Sequence, residues 1–467
     1  LKKNGMKKIL SQYGSFLVLA LLCACYSVVT YEEHQPETPR AGEGLASKIV
    51  DRHGRGANVL IVVRDTAGDR EFSQALAAKL QSLGANVVDT AHVKSPFPAS
   101  ARKVIERAAA EHETIDAIAT HHTGSQWGPL KPDKIAEAAR EFPALKSTQI
   151  QKPDSVWWPA FLTVDNLLNV ANNTAEIAII AIGMTMIIIT AGIDLSVGSV
   201  LALGGIVTAI AVQEIGGGAE ASVFGVLVCY LLGIGACTLC GALNGLLATT
   251  FRVAAFIATL AMMMMARGLA LIVAVQYRSA LAGGGVAATP ELVKVDASVF
   301  TWLGQGKTLG IPNPILLVIV LYAIAHFVMV YTSIGRYIYA VGGNREAARL
   351  SGVPVFWVLL GVYAICGALT GLAGIVDASR YGGGRPNAGE YLELQVIAAV
   401  VVGGTSLYGG EGRVMGTLIG ALTVAVIKNG LNMANVGPYE QQVAFGLLIL
   451  AAALIDSIRK YGWELFR

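Results

Sequence analysis

The chain is short of charge. Only 14% of its 467 residues are charged, while 54% are hydrophobic, against about a quarter charged in an ordinary soluble protein. That deficit excludes a soluble globular fold of this length. A net charge of +3 is too small to draw nucleic acid. Cysteine is absent where a staple would need it. The six thiols (23, 25, 229, 237, 240 and 366) all lie in apolar segments, so no disulfide framework is implied. Cys229, Cys237 and Cys240 read as small helix-packing residues rather than metal ligands. A phosphate loop is also missing, because "GQGKT" (304–308) has Thr301 where that motif requires Gly. No cofactor is expected.

What is present instead is a series of apolar runs about 20 residues long, enough to cross about 30 Å of hydrocarbon. Lys2, Lys3, Lys7 and Lys8 precede the first, from Ile9 to Thr30. A basic start of this kind marks a signal peptide or a signal anchor. The "LCAC" at 22–25 fits a lipoprotein cleavage box poorly, which favours an uncleaved first span with its basic end inside. Further spans are expected near 175–192, 195–213, 222–249, 253–276, 313–332, 355–377, 392–408, 412–430 and 440–458, making ten. "FLTVDNLLNVANNT" (161–174) is too polar to span and reads as an interfacial amphipathic helix. The fold class is therefore an all-α polytopic membrane protein.

Residues 31–157 differ in character. They carry six of the seven histidines and no spanning run. "ANVLIVV" (57–63), "ANVVDT" (85–90) and "IDAIAT" (115–120) predict strands. "DREFSQALAAKLQSLG" (69–84) and "ASARKVIERAAAEH" (99–112) predict helices between them. That alternation predicts a small inserted α/β domain with a parallel sheet. The expected organisation is a signal-anchor span over 1–30, an extracytoplasmic insertion over 31–157 and a transmembrane domain over 158–467. His121 and His122 fall at the carboxyl end of a strand, where ligands of α/β sheets lie, near Arg64 and Asp65. Adjacent side chains on an extended segment point opposite ways, so a shared metal is not expected.

Ten spans starting inside must end inside, where Arg459, Lys460 and Arg467 lie. Arg252, Arg336, Arg345 and Arg349 fall on inner loops by the same count, as the positive-inside rule requires. Both termini are thus expected in the cytoplasm. "GALNGLLA" (241–248) and "VIKNGLNMA" (426–434) share an Asn-Gly-Leu near the end of an apolar run, a hint of inverted repeats.

Asp194 is the only charged residue between Glu176 and Glu214. An ionised carboxylate in lipid is costly, which leaves two readings. It is an ion or proton carrier, or it caps a helix at a break marked by Gly192, with Ser196 as the alternative cap. Arg267 is a second intramembrane charge, expected to snorkel outward, to pair with a carboxylate such as Glu176 or Glu393, or to meet the transported molecule. Asn172, Asn244, Thr405, Ser406 and Asn429 are polar residues that face a translocation path or pack between helices.

Four stretches together resemble the permease subunits of bacterial ATP-binding-cassette importers for ribose, xylose and galactosides. They are "AGIDLSVGSVLAL" (191–203), "VAAFIATLAMMMMARG" (253–268), "GRYIYAVGGNREAARLSGV" (335–353) and "VVVGGTSLYGGEGRVMGTLIGAL" (400–422). The likeness covers 1–30 and 158–467. It implies an ATP-driven monosaccharide importer of the cytoplasmic (inner) membrane and makes a proton-carrying Asp194 unnecessary. Its partners would be separate ATPase subunits, a periplasmic sugar-binding protein, a second permease subunit and membrane lipid. It assigns ATPase coupling to the 335–353 loop, namely Gly335, Arg336, Asn344, Arg345, Glu346, Ala347, Ala348, Arg349, Ser351 and Gly352. The small Ala347 and Ala348 are expected to form the face that the ATPase approaches. Gln395 departs from the acidic residue common in the family, and the 31–157 block replaces a very short loop. That block is itself similar to one lobe of a periplasmic sugar-binding protein. A ligand-sensing receptor and a proton-coupled secondary transporter are the competing readings.

Overall fold

In the computed structural model, residues 2–281, 289 and 291–461 are described. They form two compact units, one of residues 1–30 with 161–467 and one of residues 31–160.

The second unit starts with β1 (Tyr31–His34) and α2 (Pro39–His53), which follow α1 (Lys2–Val29) of the first unit. A parallel core follows: β2 (Asn58–Arg64), α3 (Ala67–Ser82), β3 (Asn86–Val93), α4 (Phe97–Glu111) and β4 (Ala117–Ala119). Short helices α5 (His122–Ser125) and α6 (Pro132–Ala138) lead to β5 (Gln149–Gln151) and β6 (Val156–Pro159). The four-stranded sheet is ordered β3-β2-β4-β5, with all three pairings parallel. Strand β2 is covered on both faces. Val59, Ile61 and Val63 meet Leu45, Ile49, Phe72 and Leu76 of α2 and α3. Leu60 and Val62 meet the α4 side at Ile105, with Trp127 and Leu130. That two-sided burial is why the strand reads as an unbroken apolar run. The strands and helices expected at 57–63, 69–84, 85–90, 99–112 and 115–120 are all present within a few residues. The additions include α2, the short α5 and α6, the polar three-residue β5, and a ribbon in which β1 pairs antiparallel with β6, Tyr31 opposite Pro159.

The first unit continues through α7 (Val164–Ile189), α8 (Val197–Glu214), α9 (Val223–Thr249), α10 (Ala255–Leu281), α11 (Ser298–Gln305) and α12 (Asn313–Tyr331). Then come α13 (Ser333–Gly343), α14 (Arg345–Leu350), α15 (Val355–Tyr381), α16 (Leu392–Val402), α17 (Val414–Met433) and α18 (Pro438–Tyr461). Helix α15 is central and packs on α7, α8 and α9. It meets α9 through small residues. A Cβ added at Gly241 would lie 2.2 Å from the Tyr363 carbonyl oxygen, and one at Gly367 2.3 Å from that of Cys237. Backbones that approach this closely are a main source of cohesion between helices in lipid, where hydrophobicity cannot drive them together.

Seven described helices, α7–α10, α12, α15 and α17, are long and apolar enough to cross a membrane. Of the other three expected spans, those at α1 and α18 run into residues outside the described ones, and α16, with 11 residues, is too short to meet that standard. The expected span at 392–408 stops at Val402 because Gly403-Gly404 turns the chain, with Gly404 at φ 90°. The separate interfacial helix expected at 161–174 is absent. Residues 164–189 are one uninterrupted helix, since no Gly or Pro breaks it before Gly183. Part of its polar first half finds partners: Thr174 donates to the Val170 carbonyl, and Asn166 exchanges amide hydrogen bonds with Asn429, distant in sequence.

Candidate functional site

The chemistry of the first unit gathers where α7 ends. Ala191 takes a left-handed φ of 58° and stops the helix, so the expected break is present but its left-handed residue is not Gly192. Gly192 serves close approach instead, since a Cβ there would lie 2.6 Å from the Tyr363 hydroxyl. Asp194 is 2% exposed, and its Oδ1 accepts hydrogen bonds from the Ser196 amide (2.8 Å) and hydroxyl (2.6 Å). The carboxylate thus satisfies the amide of Ser196, the residue that precedes α8, while Ser196 contributes no side-chain cap. The Ser196 hydroxyl in turn accepts from the Asn244 amide at 3.0 Å. The Asn244 Oδ1 and the Tyr363 hydroxyl, both buried, have no partner. Tyr363 was not legible as part of this group. An isolated tyrosine in an apolar run carries no distinguishing pattern.

The 335–353 segment folds as two short helices meeting at a corner. Asn344 caps α14, its Oδ1 accepting from the Ala347 amide at 3.0 Å. Gly352, at φ 83°, ends it, with its amide donating to the Arg349 carbonyl. Glu346 and Arg349 pair at 2.9 Å on the exposed side, where Arg336, Ser351 and Gly352 are also exposed. Gly335 is buried against the Met329 carbonyl. The expected small face is corrected by the structure. Ala347 is exposed, but Ala348 is 5% exposed and packs on Val341 and Leu359, because one helical residue further turns by about 100°. The outward group beside Ala347 is Leu350, 82% exposed.

This corner touches the end of α7 directly. Gly342 lies so near that a Cβ on it would sit 1.8 Å from the Ile189 carbonyl oxygen. That oxygen accepts from the Gly410 amide at 2.8 Å, and the Thr190 carbonyl accepts from Arg345 Nη2 at 3.0 Å. Tyr339 donates to the Gly412 carbonyl at 2.7 Å. In the same turn Thr405 Oγ1 is buried without a partner, and Ser406 Oγ donates to Asp456 Oδ2 at 3.3 Å.

A second polar group joins the start of α7 to the end of α15. Arg380 lies 3.2 Å from Glu176 and donates to the Asn172 carbonyl and the Asn173 side chain. Arg385 pairs with Asp377 and stacks over Tyr381. Sequence reasoning missed this set, although Asp377 and Arg380 sit three apart in an otherwise apolar run. Arg267 pairs with neither Glu176 nor Glu393. It donates to the backbone carbonyls of Pro386 (2.7 Å) and Ala388 (2.8 Å), because a guanidinium offers five donors that carbonyls can take without a second buried charge.

In the second unit His121 and Arg64 meet as their strand positions predict. Arg64 bridges Glu37 (2.5 Å) and Asp69 (2.6 Å), and the fully buried His121 ring accepts from the Gly124 amide at 2.7 Å. Burial pushes the His121 imidazole below its usual range, against the pull of Glu37 and Asp69. Asp65 turns away to pair with Arg70. Both ring nitrogens of His122 are buried without partners.

Residues 166–452 match the family described as branched-chain amino acid transport system / permease component. The chain is 43% identical over 299 residues to the ribose import permease protein RbsC of Escherichia coli (strain K12), covering 64% of this chain and 88% of that protein. It is 41% identical over 302 residues to RbsC of Bacillus subtilis (strain 168), covering 65% and 88%. To the xylose transport system permease protein XylH of Escherichia coli (strain K12) it is 34% identical over 349 residues, covering 64% and 87%. No solved structure matches the chain. The match over most of the membrane unit, joined to its apolar helices and buried helix break, makes the chain a member of this transport-permease family and a multi-pass membrane protein.

Proposed function

We propose that the chain is the membrane-spanning subunit of an ATP-driven importer for a monosaccharide of the ribose or xylose kind. The single observation that carries this is its 43% identity to a ribose import permease across 88% of that protein. Sugar is favoured over a branched-chain amino acid because both named groups of relatives, ribose and xylose permeases, handle pentoses. The subunit makes no covalent chemistry. ATP is hydrolysed on separate subunits, two permease subunits pair in the bacterial inner membrane, and a sugar-binding protein delivers the substrate outside. Both termini lie in the cytoplasm, and residues 31–157 lie on the outer side.

The α13–α14 corner is the ATPase dock. Its exposed Ala347, Glu346, Arg349 and Leu350 support this reading, as does the Asn344 cap that holds them in a short ordered helix. Arg336, Ser351 and Gly352 extend the surface. Along the path, Asn244 and Thr405 keep unpartnered oxygens for passing hydroxyls, with Asn172 and Glu393 as further contacts. Asn429, Ser406 and Arg267 hold backbone or neighbouring side chains. Gly192, Asp194 and Ser196 form the gate.

Leu350→Asp with Ala347→Trp tests the dock. Both side chains point outward, so the permease should reach the membrane in normal amount, lose its ATPase on co-purification and lose ribose uptake. Wild-type recovery of the ATPase would refute the assignment.

A further inference from the structure

Helix α7 ends on carbonyls that no intrahelical amide can reach, as every helix does. Two of them, on Ile189 and Thr190, are engaged from outside the helix, by the Gly410 amide and by Arg345 respectively. Arg345 stands at the first position of α14, the helix proposed above to meet the ATPase. Thr190 stands one residue before the left-handed Ala191 and four before Asp194. A single side chain therefore spans from the docking helix to the break between α7 and α8.

The surrounding contacts make that span stiff. Gly342 abuts the Ile189 carbonyl with no room for a methyl group, and a Cβ on Gly409 would meet Ala191 Cβ at 2.9 Å and the Gly342 oxygen at 3.0 Å. On the far side of the break, Asp194 holds the Ser196 amide just before α8, and Ser196 holds Asn244 of α9. Displacement of the corner by one or two ångströms must either carry the 189–196 segment with it or break the Arg345–Thr190 hydrogen bond. Close-packed contacts of this kind transmit strain instead of absorbing it.

We infer that Arg345 is a positioning residue for transport: it passes the movement of the ATPase-bound corner to the helix break at 190–196, and does not itself hold the ATPase. This rests on the proposed function of the corner. Arg345 is itself exposed on the docking helix, so the alternative role, a cation that grips the ATPase, is an outcome the experiment must separate.

The full chain is reconstituted with its ATPase in vesicles, and three quantities are read per inserted permease: ATPase recovered on co-purification, ATP hydrolysis and ribose uptake. Arg345→Gln, which cannot extend a guanidinium donor to the Thr190 carbonyl, should leave co-purification and hydrolysis within about twofold of wild type. Uptake per ATP hydrolysed should fall at least tenfold. Arg345→Lys, which keeps a charged donor on a long stem, should restore uptake per ATP to within about threefold. Gly342→Ala pushes the same two segments apart at a different point and should reproduce the loss in uptake per ATP. A merely structural role would lower the amount of assembled complex and leave the ratio of uptake to hydrolysis unchanged. Loss of co-purification with Arg345→Gln would overturn the inference, as would an unchanged ratio. Unimpaired co-purification in the Leu350→Asp, Ala347→Trp variant would instead sink the docking assignment, which keeps the two failures distinct.

Discussion

Replacing Asp194 asks whether its charge or its oxygen matters. The structure shows Oδ1 accepting from the Ser196 amide and hydroxyl, with the residue 2% exposed. Asp194→Ala removes both acceptors. The Ser196 hydroxyl can rotate towards the unpartnered Asn244 Oδ1, but the amide has nowhere to turn. A buried donor left without a partner costs about 1–3 kcal/mol, so Asp194→Ala should destabilise the membrane unit by about 2 kcal/mol. Asp194→Asn keeps an oxygen in the same place and removes a charge that is expensive in lipid. Asn caps as well as Asp, so the expected change is under about 1 kcal/mol. The assay is paired: thermal unfolding of the detergent-purified permease, and ribose uptake in vesicles. Asn should match wild type in both, and Ala should fall in both. If Asn abolishes uptake while its Tm stays at the wild-type value, the charge itself is required and the capping account is refuted.

Two further outcomes follow from packing and from titration. Gly367→Val would drive a side chain against the Cys237 carbonyl where α9 and α15 cross; overpacking costs about 1–3 kcal/mol, and size-exclusion chromatography should show loss of the monodisperse permease. In the second unit His121 is held neutral by burial, with its imidazole pKa lowered. The unfolded chain then binds more protons below its ordinary value of about 6.5, so stability rises with pH there and is lost as pH falls. Hydrogen-exchange protection of β2 and β4 in the full chain, relative to the intrinsic amide rate at each pH, should be lower at pH 5 than at pH 7.5; equal protection would refute the account.

Elements with a strong period were legible in sequence, and those set by distant contacts were not. Strand β2 declared itself because both its faces are buried, and α15 because 27 residues run nearly free of charge. Strand β5 is polar and three residues long, so only its pairing with β4 defines it. The polar start of α7 read as interfacial because the stretch is too polar to span alone, and the partner of its Asn166, Asn429, lies far along the chain. At the site, the acid at 194 was visible as a lone charge. The inward turn of Ala348 was not, since adjacent alanines differ only by the face that tertiary packing selects. Arg345 was read as one of three equivalent cations, and its carbonyl partner has no signature in sequence.

The β1–β6 ribbon has a consequence for how such a chain came to be. Tyr31 pairs with Pro159, and one residue before β1 and two after β6 the Phe161 amide donates to the Thr30 hydroxyl at 3.0 Å. Departure and return therefore fall at a single point, as they do across any tight hairpin. A passenger whose two ends are zipped together can be grafted into a short loop without prising apart the helices that flank it, and can be lost as cleanly. The ribbon brings the two ends of residues 31–160 together, so the chain leaves for that unit and returns from it at neighbouring points.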